Sequence, residues 1–377
     1  MDGAPSKIGR YTVERPLGSG GMGEVFLAYS PAGEPVAVKL IRADRLDPET
    51  RKRFEREAHI ARGVVGTSRV ARFLDADPFA DRPWMAVEYI SGPTLDESIG
   101  AGGTWADILV ASMGALLSDG LEAIHRAKLL HRDLKPQNII LGESGPVIID
   151  FGLAAFADAS SSLSRSGTII GSVRCMPPEQ AAGKSGVTPA ADVYGLGTVL
   201  LYAATGHYPY DGATWQAITA QVASADAKPD LNGLPAALAP LVRAMLEHEP
   251  ENRPTTADVQ EMCAELLTAR GWSPVQARRE LIRLTARPVE QQDPAFAISA
   301  SVEARIDAEA MSMAAKRGDS AELAALDHAD AEREREEPVA DEPAAPEPGD
   351  AAKPVRPAAS TRVAQELRRV YAAAPSL

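Results

Sequence analysis

The residues best suited to chemistry sit in one short polar run, His131 to Asn138, HRDLKPQN, between apolar Leu129–Leu130 and Ile139–Leu141. An acid, basic groups, an amide and a proline between apolar segments are the composition of a site presented by a rigid frame. Asp133 can accept a proton from an attacking hydroxyl. Lys135, two residues on, falls on the same side of an extended backbone and can neutralise a transferring phosphoryl group. Asn138 offers a neutral oxygen to a hard cation such as magnesium. A second acid, Asp150, directly follows apolar Val147–Ile149 in PVIIDFG. It reads either as a turn residue or as a metal ligand facing Asn138 across a hairpin.

Phosphate chemistry also needs a cradle. Gly18, Gly20, Gly21 and Gly23 lie in GSGGMGE, between strand-like Tyr11–Leu17 and Val25–Tyr29. A dinucleotide site shares this glycine spacing but must continue into a helix, whereas EVFLAY (24–29) is β-branched and aromatic. Strand, glycine loop, strand is a hairpin whose backbone amides can close over phosphates. PVAVKLI (35–41) alternates as a strand and carries one lysine, Lys39, in an otherwise apolar run. The charged helix expected over 48–63 has an apolar face of Phe54, Ala58 and Ala61. Its phase favours Glu57, with Glu55 as a rival, as the partner that orients the Lys39 ammonium onto phosphates. WMAVEYI (84–90) reads as a buried strand running into SGPTL, with a hinge around Glu88 and Ile90.

The elements that must position these groups follow from periodicity. A helix is expected over 106–125, a hairpin around 143–145, and a central apolar helix over 191–206. Further helices are expected at 215–223, 235–246 and 256–269, the last two separated by ENRPT (251–255). The Ser-rich stretch 154–178 is too long for an ordinary connector and reads as a regulated or disordered loop. Short strands followed by helices imply an α+β chain, a small sheet lobe joined to a helical lobe. Beyond about residue 270, segments 274–284 and 301–325 have helical composition, 333–356 is acidic and proline-rich, and 361–371 is amphipathic.

Composition narrows the function classes. The chain has 377 residues, 45% of them hydrophobic, and a formal net charge of -13. That balance argues against nucleic acid or an anionic membrane as the main partner. Two cysteines without CxxC spacing fit a reducing compartment and argue against a structural zinc. The opening MDGAPSKIGRY is charged and lacks the apolar run of a signal peptide, and no run of about 18 apolar residues occurs. A cytoplasmic protein without a membrane span is expected.

Taken together, these motifs resemble the bacterial eukaryotic-like (Hanks-type) serine/threonine protein kinases, in particular soluble ones of actinobacteria. They occur in the family's order over roughly Ile8 to Ala269. The resemblance implies a bilobal kinase domain over 8–269, with an N-lobe of about 8–90 and a C-lobe of about 91–269. A helical extension over 270–327 and a mostly disordered tail over 328–377 are expected to follow. It implies ATP and Mg2+, with Mn2+ as a substitute, and transfer of the γ-phosphoryl group to Ser or Thr of protein substrates. Asp133 becomes the catalytic base and Lys135 its charge-stabilising neighbour; Asn138 and Asp150 become metal ligands. ATP binding falls to Leu17, Gly18, Gly20, Gly23, Val25, Ala37, Lys39, Glu57, Glu88 and Ile90.

The same resemblance makes Asp192 a brace for the catalytic loop and Glu179–Arg253 a structural ion pair. It places autophosphorylation at Thr168, Ser166 or Ser164, within reach of Arg132, and raises transient homodimerisation as the route to it. PPEQ (177–180) stands where A-P-E is usual, with Ser172 and Cys175 also departing from the pattern; these departures bear on peptide preference rather than on phosphoryl chemistry. Cys175 as a redox sensor is a minor reading. A catalytically dead relative would lack the lysine or an aspartate, and all are present. Against a small-molecule phosphotransferase of related fold, Lys135, the long loop and PPEQ favour protein substrates.

Overall fold

The computed structural model describes residues 5–19, 23–41, 48–64, 67–150, 173–184, 186–285 and 298–312. The chain divides into two compact units, Met1–Ala315 and Lys316–Leu377; the second lies outside the described residues. The first begins with six strands: β1 (Lys7–Ile8), β2 (Tyr11–Ser19), β3 (Gly23–Tyr29), β4 (Pro35–Ile41), β5 (Phe73–Asp77) and β6 (Trp84–Glu88). They form one antiparallel sheet in the order β1-β2-β3-β4-β6-β5.

Alternation decides what each face does. Val36, Val38 and Leu40 of β4 are buried on one face with Tyr11, Phe26, Trp84 and Ala86. Tyr11 meets Trp84 edge-on, with ring centroids 5.7 Å apart. The other face carries Ala37 and Lys39. Beneath it lies α1 (Pro48–Ala61), whose Phe54 and Ala58 pack against Ile41 and Met85.

The remainder is mainly helical. It comprises α2 (Leu95–Gly102), α3 (Asp107–Arg126), the hairpin of β7 (Ile139–Gly142) and β8 (Gly145–Ile148), α4 (Pro178–Ala181), α5 (Ala190–Thr205), α6 (Trp215–Ala223), α7 (Ala239–Met245), α8 (Thr256–Ala269) and α9 (Pro274–Thr285). A last helical stretch, α10, covers residues 300–312. The apolar α5 is buried all round, which makes it the axis of this lobe, and it stops at Gly206 in a left-handed conformation (φ 77°). Thr94 with Glu97 and Thr255 with Asp258 form reciprocal capping boxes that start α2 and α8. By length and hydropathy α3 could cross a membrane, yet it is mostly buried and packs against α8 and α5 as a core helix.

Several boundaries differ from the sequence reading. The strand from Trp84 stops at Glu88, not Ile90. The helix expected over 235–246 shrinks to Ala239–Met245, because Pro240 lacks an amide hydrogen and belongs in a first turn. β1, β5 and α2 were not expected.

The two lobes meet through backbone. Leu141 N donates to Pro93 O at 2.9 Å, and Ile148 N donates to Arg69 O at 2.7 Å. Gly92, at φ 152°, lies so close to β7 that an added Cβ would come 2.2 Å from Leu141 O. Only glycine fits there.

Deep in the helical lobe, Arg253 grips Glu179 through two bonds of 2.8 Å. Its remaining donors reach the carbonyls of Glu247, His248 and Ala190, and its guanidinium stacks over the Tyr194 ring. Both side chains are almost fully buried, so removing one strands the other. We expect Arg253→Ala to lower unfolding free energy by about 3–5 kcal/mol. Arg253→Lys should recover little of this, since an ammonium cannot reproduce the fork. Urea unfolding monitored by circular dichroism would measure both.

Candidate active site

The site is built where the strand lobe faces the β7–β8 hairpin. Cross-strand pairing places Val25 opposite Lys39 and Ala37 opposite Val87, so these side chains share the face above the cleft. Gly18 pairs with Val25 across the hairpin, and neighbouring Leu17 is 37% exposed. Gly23 closes the second arm so near to Leu40 O that a Cβ would stand 2.1 Å away. Gly20 lies outside the described residues. Glu88 marks the end of β6, its amide bonded to Arg72 O at 2.8 Å, and Ile90 follows in the linker, its side chain near Gly142.

Lys39 has an unexpected partner. Its Nζ lies 2.8 Å from Asp150 Oδ2. Burial pushes the Asp150 carboxyl up, but the Lys39 ammonium, the hydrogen bond from it and the nearby His131 and Lys135 outweigh burial and hold it below the usual carboxylate range. The backbone of Asp150 is left-handed (φ 61°), a conformation that costs an aspartate roughly 1–3 kcal/mol and therefore must be held. The sequence reading gave Lys39 to Glu57. α1 turns its Phe54–Ala58 face to the sheet and leaves Glu55 exposed, which disfavours the rival; the Glu57 side chain lies outside the described residues.

Across from this pair, Asp133 Oδ2 lies 2.7 Å from Lys135 Nζ. Asn138 Nδ2 donates to the Asp133 backbone carbonyl at 2.8 Å. This bond commits the amide nitrogen and fixes the amide plane, so the oxygen is the end that can serve a cation. Among the described residues no cluster of three or more His, Cys, Asp or Glu side chains could cage a metal. Two oxygen donors, Asn138 and Asp150, fit an ion that completes its shell with phosphate and water.

A buried carboxylate holds the loop. Asp192, in the first turn of α5, is 1% exposed. Its Oδ1 accepts from Arg132 N at 2.7 Å, and its Oδ2 accepts from His131 N at 2.9 Å and faces His125 Nε2 at 2.7 Å. Arg132 is itself left-handed (φ 63°), so these bonds hold a second strained residue. His131 Nε2 meets Ile149 O at 3.0 Å while its Nδ1 accepts from Asp133 N at 3.3 Å. These two bonds tie the loop carrying Asp133 to the strand end carrying Asp150. The sequence reading named Asp192 but missed His125 and His131; their only signal was a histidine near the end of an apolar helix and the loop's first letter.

Ser164, Ser166 and Thr168 lie outside the described residues. Cys175 is described: it is 4% exposed, and burial pushes its thiol far up, the condition of an unreactive thiol. Buried in this way, Cys175 is out of reach of a soluble oxidant.

The family model for the protein kinase domain matches residues 11–265. The chain belongs to the protein kinase family. Among its relatives, the probable serine/threonine-protein kinase PkwA of Thermomonospora curvata is 45% identical over 273 residues, covering 72% of this chain and 36% of that protein. AfsK of Streptomyces coelicolor, named a serine/threonine-protein kinase, is 38% identical, covering 72% of this chain and 35% of that protein. The chain thus spans little more than a third of the length of these curated relatives. In fold it is similar to the crystallised kinase domain of Mycobacterium tuberculosis PknI (TM-score 0.55, 25% identity), covering 70% of this chain and 96% of that one.

The Asp192 brace carries a stability signature. Burial raises its pKa, but the His125 hydrogen bond, the nearby histidines and the Arg132 amide lower it below 3.8. A depressed folded-state pKa contributes stability fully above the unfolded value, and the contribution is lost as pH falls through the folded one. Asp192→Asn should therefore be less stable than the wild type at neutral pH, with a gap that narrows only below about pH 4. Urea titrations from pH 7 downwards would show it.

Proposed function

We propose that this kinase domain transfers the γ-phosphoryl group of ATP, with Mg2+ (Mn2+ as a substitute), to Ser or Thr hydroxyls of proteins, and that it phosphorylates its own 164–168 segment. The observation that carries the reading is the juxtaposition of two charged pairs, Asp133–Lys135 and Lys39–Asp150, at the mouth of one hairpin. Asn138 and Asp150 would hold the metal, which would supply positive charge against the phosphates of the nucleotide.

The chain's own groups do the rest. Asp133 takes the proton of the attacking hydroxyl. Its ion pair with Lys135 aims the carboxylate and sets a positive charge beside the transferring group. Lys39 supplies a cation to the nucleotide's phosphates; its present bond to Asp150 places the two phosphate-directed charges at one point. Gly18 and Gly23 provide backbone without side-chain interference, while Leu17, Val25 and Ala37 supply an apolar roof for the base, and Glu88 and Ile90 the backbone of the linker. Most of the acceleration comes from positioning and charge neutralisation.

Regulation by loop phosphorylation has support in Arg132. Its Nε is buried with no hydrogen-bond partner among the described residues. An unsatisfied guanidinium donor beside the catalytic loop fits a phosphate on the 164–168 segment. Transient pairing of two copies would deliver one loop to the other's site. The demand for ATP fits action in the cytoplasm.

The test is incubation with γ-labelled ATP and Mg2+, beside Lys39→Ala and Asp133→Asn, followed by phosphosite mapping. Label is expected in the wild type on Ser164, Ser166 or Thr168. Asp133→Asn should retain nucleotide binding and lose about a hundredfold or more in rate. Nucleotide binding without any transfer, to itself or to protein substrates, would replace this reading with that of a nucleotide-binding scaffold.

A further inference from the structure

Two stretches beyond the family-matched segment 11–265 hold opposite lobes. The first is α9. Ser273 and Gln276 cap its start reciprocally, through bonds of 2.9 and 3.2 Å. Ala277 and Leu281 are fully buried in the core of the helical lobe, and Arg278 Nη2 donates to Ser144 O in the β7–β8 turn at 3.5 Å.

The second is α10, whose inward positions Val302, Arg305, Ile306 and Glu309 recur at helical spacing, Val302 at 3% exposure. Arg305 Nη1 donates to Val13 O at 3.3 Å, and its Nη2 donates to Ser6 O. Lys7 Nζ meets Glu309 Oε1 at 2.6 Å, and Ser299 Oγ donates to Glu14 Oε2 at 3.0 Å. Ile298 lies over Gly33 at the β3–β4 turn.

The place of contact matters more than its size. Ser6 O already accepts the amide of Val13, so Arg305 closes over the point where β1 and β2 join. Immediately after Val13 the pairing of β2 with β3 slips, between Val13 and Arg15. At such an irregularity the ladder is locally interrupted and the strand bends. β2 then runs on to Leu17 and Gly18, the first arm of the phosphate loop.

We propose that α10 is a positioning element for nucleotide. Arg305 fixes β2 beside its irregularity and so sets the height of Leu17 and Gly18 over the cleft, while α9 fixes the same extension to the helical lobe. The inference rests on the nucleotide reading above for its functional consequence, but its structural half stands alone. Arg305 is a positioning residue and touches no reacting group.

The test uses the full chain with Val302→Asp/Arg305→Glu, which turns the inward face of α10 against its carbonyl partners. Amide hydrogen exchange is expected to quicken across residues 11–19 and to stay unchanged in α5 and α8. The KM for ATP should rise about fivefold or more, the lower end of ordinary site-to-site coupling, with kcat little changed. A milder pair guards against misfolding: Glu309→Lys should show a weaker form of the effect, and adding Lys7→Glu should reverse it. Unchanged exchange in 11–19 would overturn the proposal, and so would a detached α10 with unaltered or improved affinity for ATP. If the wild type binds no nucleotide, the kinase reading fails, and the exchange measurement still decides whether α10 fixes β2.

Discussion

One buried carboxylate holds the candidate site together. Asp192 accepts two successive backbone amides, His131 and Arg132, and a histidine from the preceding helix. The loop it grips contains a left-handed arginine, and the adjoining strand end contains a left-handed aspartate. The left-handed region is costly for a residue with a side chain, more so for the arginine than for the aspartate. Asp192 is itself fixed by the first turn of α5, the most completely buried of the longer helices among the described residues. Rigidity therefore passes from an apolar helix to a carboxylate, from the carboxylate to the backbone of a loop, and from that backbone to Asp133. The histidine ring at position 131 extends the same chain to Ile149 and hence to Asp150. The two acids are positioned by one network, which explains how they keep their spacing although they lie on different segments.

The strand lobe follows another principle. Its sheet is a two-sided object, with a sealed face of aromatic and aliphatic side chains and a working face carrying Val25, Ala37 and Lys39. The period of the strands suffices to sort these residues. No such period organises the joint between the lobes, which is made by main-chain hydrogen bonds from the linker and from residues 69–71 to the hairpin. Arg69 adds its guanidinium to this joint through the Ser144 and Pro146 carbonyls.

Much of this was legible in the residues themselves. Helices α5, α6 and α8 have strong apolar content and clear stops, and the glycine hairpin, the Lys39 strand and the catalytic loop were readable because each is short and local. What escaped is instructive. β5 (FLDAD) is nowhere fully buried, and its two aspartates interrupt the apolar run; its pairing at the sheet edge makes it a strand. β1 is only two residues long. α2 is begun by a capping box, Thr94 with Glu97, that was visible but unread. The Lys39–Asp150 contact spans 111 positions and could not come from spacing, and the phase of α1 argued for a different partner. Arg69, buried at 4% exposure and bonded to the Ser144 and Pro146 carbonyls, gave no local sign of its role, because a lone arginine in a polar stretch reads as surface.

The close seat of Gly92 on Leu141 reaches into pharmacology. A protein can shed a bound molecule by growing a bulkier side chain at the point of contact. At this position that route is closed, since any side chain would strike the Leu141 carbonyl before it met a drug. A ligand that takes its hold against this one turn of the chain would press on ground the protein is not free to alter.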